Sequence, residues 1–378
     1  MTRSRILIIT RNLPPLVGGM ERLNWHMAEE LAKLAEVRVI GPQGAAALAP
    51  AGVTVREAPL KPLRTFLLRA RKLARREAKS WRPDIVLAGS GLTAPLARAA
   101  AHVCGARTAA YVHGLDVATR HVVYRALWLP AIRRMDCVIA NSHATADLCR
   151  GIGVDPTRIG IVHPGVDLPD LTADVDAGKA FRERHGLGDR PLLLSVGRLS
   201  ARKGLREFVT RVLPRIVAAQ PQVMLLIVGD APHQALHAQA QTPASIQVAA
   251  NSSGVGDHLR FLGTVTDYAE LGAVYRAADV HVFPVRHIPN DPEGFGMVAV
   301  EAAAHGLPTV AFATGGIVDA VAERQSGYLV PQDDYEGLAA AVLRALSVGP
   351  SLRTGCPVFA ARFAWPVFGG RLLTILLP

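Results

Sequence analysis

Short apolar runs alternate along the chain with longer segments in which apolar residues recur at helical spacing. The run RILIIT, residues 5–10, is followed by a Pro/Gly loop and by an amphipathic segment of period 3.6 at residues 20–35. Further strands are predicted at residues 37–40, 84–89, 107–114 and 136–142. Runs that are apolar on both faces are typical of a parallel sheet covered by helices on two sides.

The alternation pauses after residue 165 and then restarts. Residues 165–181 are polar and show no clear period until their end, and new strands are predicted at 191–198, 222–230, 259–265, 278–285 and 307–314. The pattern predicts an α/β protein of two doubly wound units joined near residues 165–185. Ligands of open parallel sheets bind beyond the carboxyl ends of the strands, so the expected site is the cleft between the two units.

Composition supports a folded protein. The chain has 378 residues, of which 50% are hydrophobic, and its mean hydropathy is +0.23, which excludes a disordered chain and favours two domains. The first apolar run is shorter than the core of an export signal, so no such signal is predicted. The segment from Ile85 to Cys104 is interrupted by glycine, proline and arginine, so no membrane span is predicted there. Four cysteines without CxxC or zinc-type spacing fit a cytoplasmic protein: Cys104, Cys137, Cys149 and Cys356.

The positive charge lies in the first half of the chain. Residues 1–180 hold 25 Lys and Arg against 15 Asp and Glu, whereas residues 181–378 hold 17 against 16. Within residues 61–82, Glu77 is the one acid among nine bases: Lys61, Arg64, Arg69, Arg71, Lys72, Arg75, Arg76, Lys79 and Arg82. Apolar residues recur there at helical spacing: Leu63, Phe66, Leu67, Ala70 and Leu73.

Two interpretations of this basic amphipathic helix stay open. Its charge suits an anionic membrane surface, where each basic residue contributes about 1 kcal/mol. Alternatively, it is a solvated helix that covers its own domain. Nucleic acid is a weaker choice, because aromatic residues that stack on bases make up only 5% of the chain and no RNP-like or zinc-finger pattern is present.

Two loops after predicted strands have the composition of anion sites. Gly18 and Gly19 follow the first strand and open a helix, where backbone N–H groups can approach a ligand. Arg198 and Lys203 stand five residues apart across the turn after the strand at 191–198. Two cations beside a helix N-terminus can clamp a diphosphate.

A third loop leads into an apolar helix that contains a carboxylate. Gly294 and Gly296 keep the turn open, and the N–H groups near Met297 and Val298 face outward where the helix begins. Glu293 can favour the helix dipole without any other role. A carboxylate within the apolar helix, however, needs hydroxyl or cationic partners, and Glu301 is such a group.

Together these segments resemble the retaining glycosyltransferases of family 4, which have the GT-B fold. The resemblance rests on E-G-F-G-x4-E at 293–301, G-R-x4-K-G at 197–204, the Gly-Gly loop, IVHPGVD at 161–167 and a closing helix at 362–377. It implies two Rossmann-like domains. The acceptor-binding domain spans residues 1–170, with residues 360–378 packing back on it, and the nucleotide-sugar-binding domain spans residues 185–355.

The resemblance also implies roles for individual residues. Glu293 contacts hydroxyls of the donor sugar, positioning it and stabilising charge rather than acting as a covalent nucleophile, and Glu301 holds the ribose hydroxyls. Arg198 and Lys203 bind the diphosphate without a metal, and His113, at the end of the strand at 107–114, is the active-site histidine. The remaining donor-binding positions are Gly18, Gly19, Gly294, Phe295, Gly296, Met297 and Val298.

The activity implied is transfer of a sugar from a UDP- or GDP-sugar to an acceptor hydroxyl with retention of configuration, without a metal or other cofactor. The expected acceptor is a saccharide carried on a lipid such as a polyprenyl carrier, in the synthesis of bacterial surface polysaccharide or lipopolysaccharide at the inner face of the cell membrane. Two alternatives remain: a transferase that uses a soluble acceptor, and a GT-B nucleotide-sugar epimerase or binder that transfers nothing.

Overall fold

The computed structural model describes residues 3–172, 176–231 and 241–377. It divides into two compact units. The first comprises the described residues of Met1–Gly165, Asn290–Phe295 and Trp365–Pro378, and the second those of Val166–Pro289 and Gly296–Ala364. The predicted joint at 165–185 includes residues 173–175, which lie outside the described residues. Residue 378, the last of the segment 360–378 that was predicted to pack back on the first domain, also lies outside them.

The strands are short and mostly apolar. In chain order they are β1 Arg5–Ile9, β2 Glu36–Pro42, β3 Thr54–Ala58, β4 Ile85–Ala88, β5 Arg107–Val112, β6 Cys137–Ala140, β7 Ile159–Ile161, β8 Leu192–Val196, β9 Met224–Val228, β10 Leu259–Gly263, β11 Val280–Phe283, β12 Thr309–Phe312 and β13 Gly327–Val330.

Helices connect almost all of these strands. They are α1 Gly19–Ala32, α2 Leu63–Trp81, α3 Ala94–Cys104, α4 Leu115–Ala118, α5 Val122–Leu127, α6 Leu129–Arg133, α7 His143–Gly151, α8 Ala177–Arg184, α9 Leu205–Arg211, α10 Leu213–Ala219, α11 Pro243–Ser252, α12 Tyr268–Ala277, α13 Met297–Ala304, α14 Ile317–Ala320, α15 Tyr335–Val348, α16 Pro350–Ala360 and α17 Trp365–Leu376.

Within the described residues, the sheet of the first unit has seven parallel strands in the order β3-β2-β1-β4-β5-β6-β7. The five strands predicted for this unit are confirmed. The pattern missed β3 and β7, the two edge strands, because an edge strand is only partly covered: β3, TVREA, is largely exposed, and β7 has three half-buried residues.

The sheet of the second unit has six parallel strands among the described residues, in the order β10-β9-β8-β11-β12-β13. All five predicted strands are confirmed, and the missed strand, β13, again lies at an edge. The two sheets confirm the predicted α/β architecture. In each sheet the strand order reverses beside the first strand, between β1 and β4 and between β8 and β11, and such switch points are where ligands of doubly wound sheets bind.

Helix α2 forms at the predicted position and packs its apolar face into the first unit. Phe66, Ala70, Ala74 and Ala78 are all fully buried. Glu77 is buried as well, with its carboxylate 2.8 Å from Arg38 and 3.3 Å from Arg56. All nine basic side chains predicted for this segment are exposed. The helix therefore buries the centre of its apolar stripe in its own domain, while its exposed surface is mainly basic.

The last helix, α17, belongs to the first unit. Arg107, at the start of β5, donates to the carbonyl of Leu376 at 2.9 Å. Phe368 meets the ring of Tyr111 edge-on at 6.2 Å, and Trp365 stacks on His26 of α1 at 4.0 Å. These contacts join α17 to both β5 and α1.

Among the helices of residues 3–172, 176–231 and 241–377, none has the length and hydropathy required to cross a lipid bilayer.

Replacing Phe66 by alanine should lower the free energy of unfolding by about 3–5 kcal/mol, because the change leaves a cavity in the first core. Leu68→Ala on the same helix is the control, since Leu68 is 67% exposed and its loss should change stability by less than about 0.5 kcal/mol. Urea unfolding of both variants measures the difference. Equal losses would show that α2 does not pack through the Phe66 face.

Candidate functional site

At the carboxyl edge of the first sheet, one histidine spans two neighbouring strand ends. His113 follows β5 directly, and its ring Nε2 lies 3.1 Å from the carbonyl oxygen of Gly89, which follows β4. A carbonyl only accepts hydrogen bonds, so Nε2 carries the proton and donates. In the neutral ring, Nδ1 is then the acceptor, which suits it to receive a hydrogen bond from a hydroxyl group.

The carboxylate of Asp116 fixes the loop that carries His113. It accepts from the backbone N–H of His113 at 3.1 Å and from that of Gly91 at 3.0 Å. Because Gly91 follows β4, this one carboxylate ties the ends of β4 and β5 together. Sequence reasoning did not select Asp116, although an acid three residues after a histidine at a strand end was the available signal.

The segment that carries Glu293 packs on this same edge of the first unit. A Cβ atom on Gly294 would lie 2.3 Å from the His113 carbonyl oxygen and 2.7 Å from the amide nitrogen of Asn141, so only glycine fits there. Phe295 is buried and stacks on His163 at 5.2 Å. The fold therefore brings the Glu293 segment against His113, although the two are 180 positions apart in the sequence.

At the carboxyl edge of the second sheet, a lysine lies across the switch point. Arg198 follows β8 and is exposed, and Lys203 ends a 3₁₀ turn at Ala201–Lys203. The ammonium group of Lys203 lies 4.5 Å from the ring centre of Phe283, the last residue of β11. Lys203 therefore spans from the loop after β8 to the end of the neighbouring strand.

Gly204 allows the turn to lie this close to β11. Its φ is +71°, which glycine adopts without strain, and a Cβ atom there would lie 2.0 Å from the carbonyl oxygen of Pro284. The layer beneath is uncharged. His281 in β11 is fully buried, and burial, together with the charge of Lys203, lowers the pKa of its imidazole to about 3, so it is neutral at pH 7.

Helix α13 begins beside Lys203. Gly296, with φ of +95°, precedes it, and a Cβ there would lie 3.0 Å from the ring of Phe283, the same ring that Lys203 contacts. The first N–H groups of a helix have no partner inside it, and they present partial positive charge. The N-terminus of α13 and the Lys203 ammonium therefore make one positive edge on the second unit.

Glu301 is half-buried in α13, four residues after Met297. Ala299, Val300 and Ala302 beside it are buried. The hydroxyl of Tyr275 in α12 donates to its Oε2 at 3.2 Å. Tyr275 is buried and stacks on His305 at 5.2 Å, and burial lowers the pKa of His305 to about 4, which keeps that ring neutral. Tyr275 supplies the kind of hydroxyl partner that the sequence required for Glu301, but no local pattern identified it.

The Gly-Gly loop has an acid of its own. A Cβ on Gly18 would lie 2.4 Å from a carboxylate oxygen of Glu21, and the other oxygen of Glu21 accepts from the side chain of Asn12 at 2.7 Å. Glu21 lies in the first turn of α1, where its charge favours the helix dipole. The role of Gly18 and Gly19 in ligand binding stays a prediction.

A separate hollow of about 300 Å³ opens near the residues that precede β8 and β11, and its lining includes Pro191, Asp279 and Arg353. These residues lie at the amino end of the sheet, opposite the strand ends that carry Lys203. None of the predicted site residues lines this hollow, so we do not assign the site to it.

The sequence comparisons identify the family. Residues 190–348 match the model described as Glycosyl transferases group 1, and residues 17–169 match Glycosyltransferase Family 4. A GDP-mannose-dependent alpha-(1-6)-phosphatidylinositol monomannoside mannosyltransferase of Mycolicibacterium smegmatis is 30% identical over 355 residues, which cover 89% of this chain and 88% of the relative. A D-inositol 3-phosphate glycosyltransferase of Mycobacteroides abscessus is 36% identical over 63% of this chain and 51% of the relative.

Solved structures show the same fold. HepE of Anabaena, in complex with UDP, superposes with a TM-score of 0.78 at 19% identity over 98% of each chain. WaaG, a glycosyltransferase involved in lipopolysaccharide biosynthesis, superposes with a TM-score of 0.69 at 18% identity over 99% of each chain. The fold is thus GT-B. The chain belongs to glycosyltransferase family 4, among the group 1 glycosyltransferases, and is a glycosyltransferase.

Tyr275→Phe should weaken GDP or UDP binding by about three- to tenfold, the effect of one lost neutral hydrogen bond, because Glu301 then loses the hydroxyl that orients it. The loss should be smaller with the 2′-deoxynucleotide, since the family resemblance assigns Glu301 to the ribose hydroxyls. Tyr268→Phe is the control, because Tyr268 lies on the same helix and is 70% exposed. Titration calorimetry of the three proteins with each nucleotide measures six affinities, and an equal loss for ribose and deoxyribose would contradict this role.

Proposed function

We propose that this glycosyltransferase moves a sugar from a UDP- or GDP-sugar to an acceptor hydroxyl with retention of configuration. The observation that carries the proposal is the positive edge at the switch point of the second sheet, where the Lys203 ammonium and the start of α13 meet around Phe283. The mycobacterial relative that uses GDP-mannose and HepE with bound UDP-glucose support a nucleoside-diphosphate-sugar donor.

We assign the nucleotide to the second unit. Arg198 and Lys203 neutralise the diphosphate, and the N–H groups of Met297 and Val298 donate to its oxygens. Glu301, with one oxygen held by Tyr275, accepts from the ribose hydroxyls. Charge that develops on the leaving phosphate is stabilised by groups already in place, which is the main electrostatic contribution to the rate.

We assign the donor sugar to the residues gathered around His113. Its Nδ1 accepts from a sugar hydroxyl, because Nε2 is engaged by the Gly89 carbonyl. Glu293 accepts from sugar hydroxyls and stabilises positive charge at the anomeric carbon, and Gly294, Phe295 and Gly296 set its backbone. The loop of Gly18 and Gly19 closes over the donor.

Retention follows from proton transfer on the face from which the nucleotide leaves. As the bond between the anomeric carbon and the phosphate oxygen breaks, the acceptor hydroxyl attacks on that same face. The departing phosphate takes the acceptor proton. In this scheme Glu293 forms no covalent bond to the sugar, unlike the nucleophile of a retaining hydrolase. Arg198, Lys203 and the N–H groups at the start of α13 neutralise the negative charge of the diphosphate, so we propose that no metal is required.

A lipid-carried saccharide is the acceptor we favour, in the assembly of a bacterial surface glycolipid, polysaccharide or lipopolysaccharide. The mannosyltransferase relative named for a phosphatidylinositol monomannoside supports it. The nine exposed basic side chains of residues 61–82 would attract the inner face of the cell membrane. The D-inositol 3-phosphate glycosyltransferases favour the second candidate, a soluble acceptor. An epimerase or binder without transfer is the third.

The test is to incubate the protein with UDP-glucose or GDP-mannose and an extract of bacterial lipids, and then to read the anomeric configuration of the product by NMR. We expect the configuration of the donor to be kept and the rate to be unchanged by EDTA. Glu293→Gln should lower kcat by about a hundredfold or more, whereas Glu183→Gln, an exposed carboxylate elsewhere, should not. An inverted product would overturn the mechanism, and conversion of the nucleotide sugar without acceptor would indicate an epimerase.

A further inference from the structure

One short helix of the first unit presents aliphatic side chains outward. In α5, Val122 is 79% exposed, Val123 51% and Leu127 60%. Single exposed apolar residues are ordinary, but three within six residues make a local patch. We name these three side chains the α5 ridge.

The inward side of α5 shows that the ridge is not a loosely held loop. Tyr124 stacks on Trp128 at 5.5 Å, and the indole N–H of Trp128 donates to the carbonyl of Leu92 at 2.8 Å. Burial, with the nearby Asp116 carboxylate, raises the pKa of the Tyr124 phenol above its ordinary value. Tyr124 and Trp128 therefore face the protein, while the aliphatic side chains of α5 face outward. A typical surface helix has its aliphatic side chains on the inward face instead.

The exposed charge in the stretch of sequence that contains the ridge has one sign. Between Asp116 and Asp136 the sequence has no acid and four arginines, all of them exposed: Arg120, Arg125, Arg133 and Arg134. Aliphatic side chains flanked by arginine suit the headgroup region of an anionic bilayer, where the apolar groups enter the acyl boundary and the guanidinium groups meet lipid phosphates.

The ridge is connected to the candidate site through two short steps. Tyr124 packs at Gly91, where an added Cβ would lie 2.9 Å from its hydroxyl. The N–H of Gly91 shares the Asp116 carboxylate with the N–H of His113. An acceptor carried on a lipid presents its hydroxyl at headgroup level, so an enzyme that uses it needs a membrane contact close to the reacting groups.

We propose that the α5 ridge inserts into an anionic lipid surface and docks the first unit on the membrane. The assignment differs from the membrane interpretation of α2, because the centre of the α2 apolar face is buried in its own domain and the exposed surface of that helix is mainly charged. It rests on the proposed function only for the lipid-carried acceptor. Charge from α2 and insertion by α5 are separable contributions to binding.

The experiment is sedimentation of the full chain with vesicles of phosphatidylcholine and phosphatidylglycerol at a 3:1 ratio, against phosphatidylcholine alone. The wild type should sediment with the mixed vesicles. Val122→Asp combined with Leu127→Asp should lower the partition coefficient by about tenfold or more. Leu34→Asp is the matched control, because Leu34 is 66% exposed at the end of α1 and should leave binding unchanged.

Two further readouts separate the possible failures. Thermal shift with UDP-glucose and GDP-mannose should be the same for wild type and ridge variants, which shows that the variants are folded and tests donor binding independently. If the wild type binds neither nucleotide sugar, the proposed function is contradicted. The vesicle assay then still decides whether the α5 ridge binds lipid. Equal sedimentation of wild type and ridge variants would overturn the proposal that the α5 ridge inserts into the lipid surface. A dimer in ultracentrifugation that the ridge variants dissociate would assign the patch to a second copy instead.

Discussion

The reversal of strand order beside the first strand of each sheet is the constraint on which the rest of this structure depends. Parallel strands need crossover connections, and at β1/β4 and β8/β11 the adjoining crossovers leave toward opposite faces. Loops at those strand ends are therefore not covered by a helix of their own sheet. Gly89 follows β4 at the first of these points and accepts from His113 at the end of the neighbouring strand β5. Lys203 and α13 meet at the second point.

Close backbone approach brings the positive groups of the second edge together. Gly204 lets the Lys203 turn lie against Pro284, and Gly296 lets α13 begin on the Phe283 ring. The buried His281 in β11 is neutral, since burial, together with the charge of Lys203, lowers its pKa to about 3. The Lys203 ammonium and the first N–H groups of α13 are thus set in place before a ligand arrives, which is the condition for electrostatic stabilisation.

The features that the sequence predicted are those that depend on a local pattern of apolar residues. Ten strands, the α2 helix and the α/β class followed from apolar periodicity. The edge strands β3 and β7 are exposed or half-buried and lack that signal. The short edge strand β13 was missed as well, whereas the edge strand β10 was found. Asp116 and Tyr275 were missed for a different reason. Tyr275 acts on Glu301, and Asp116 ties His113 to Gly91, through hydrogen bonds between residues about 25 positions apart, which only the tertiary fold creates. The local bond from the His113 N–H to Asp116 does not by itself reveal this link. The α2 pattern was amphipathic as predicted, but a pattern does not say whether its apolar face meets a membrane or the protein's own core.

The central claim is that the edge formed by Lys203 and α13 binds the diphosphate of a nucleotide sugar. The most direct test is thermal shift with UDP-, GDP- and ADP-sugars on the wild type, Lys203→Ala and Arg206→Ala, whose arginine is an exposed cation three residues further along. At about 100 times its dissociation constant, a ligand adds roughly 2.7 kcal/mol of stability. The account predicts that one nucleotide sugar stabilises the wild type and Arg206→Ala, and that Lys203→Ala loses most of this shift. An equal shift in all three proteins would place the diphosphate elsewhere and contradict the account.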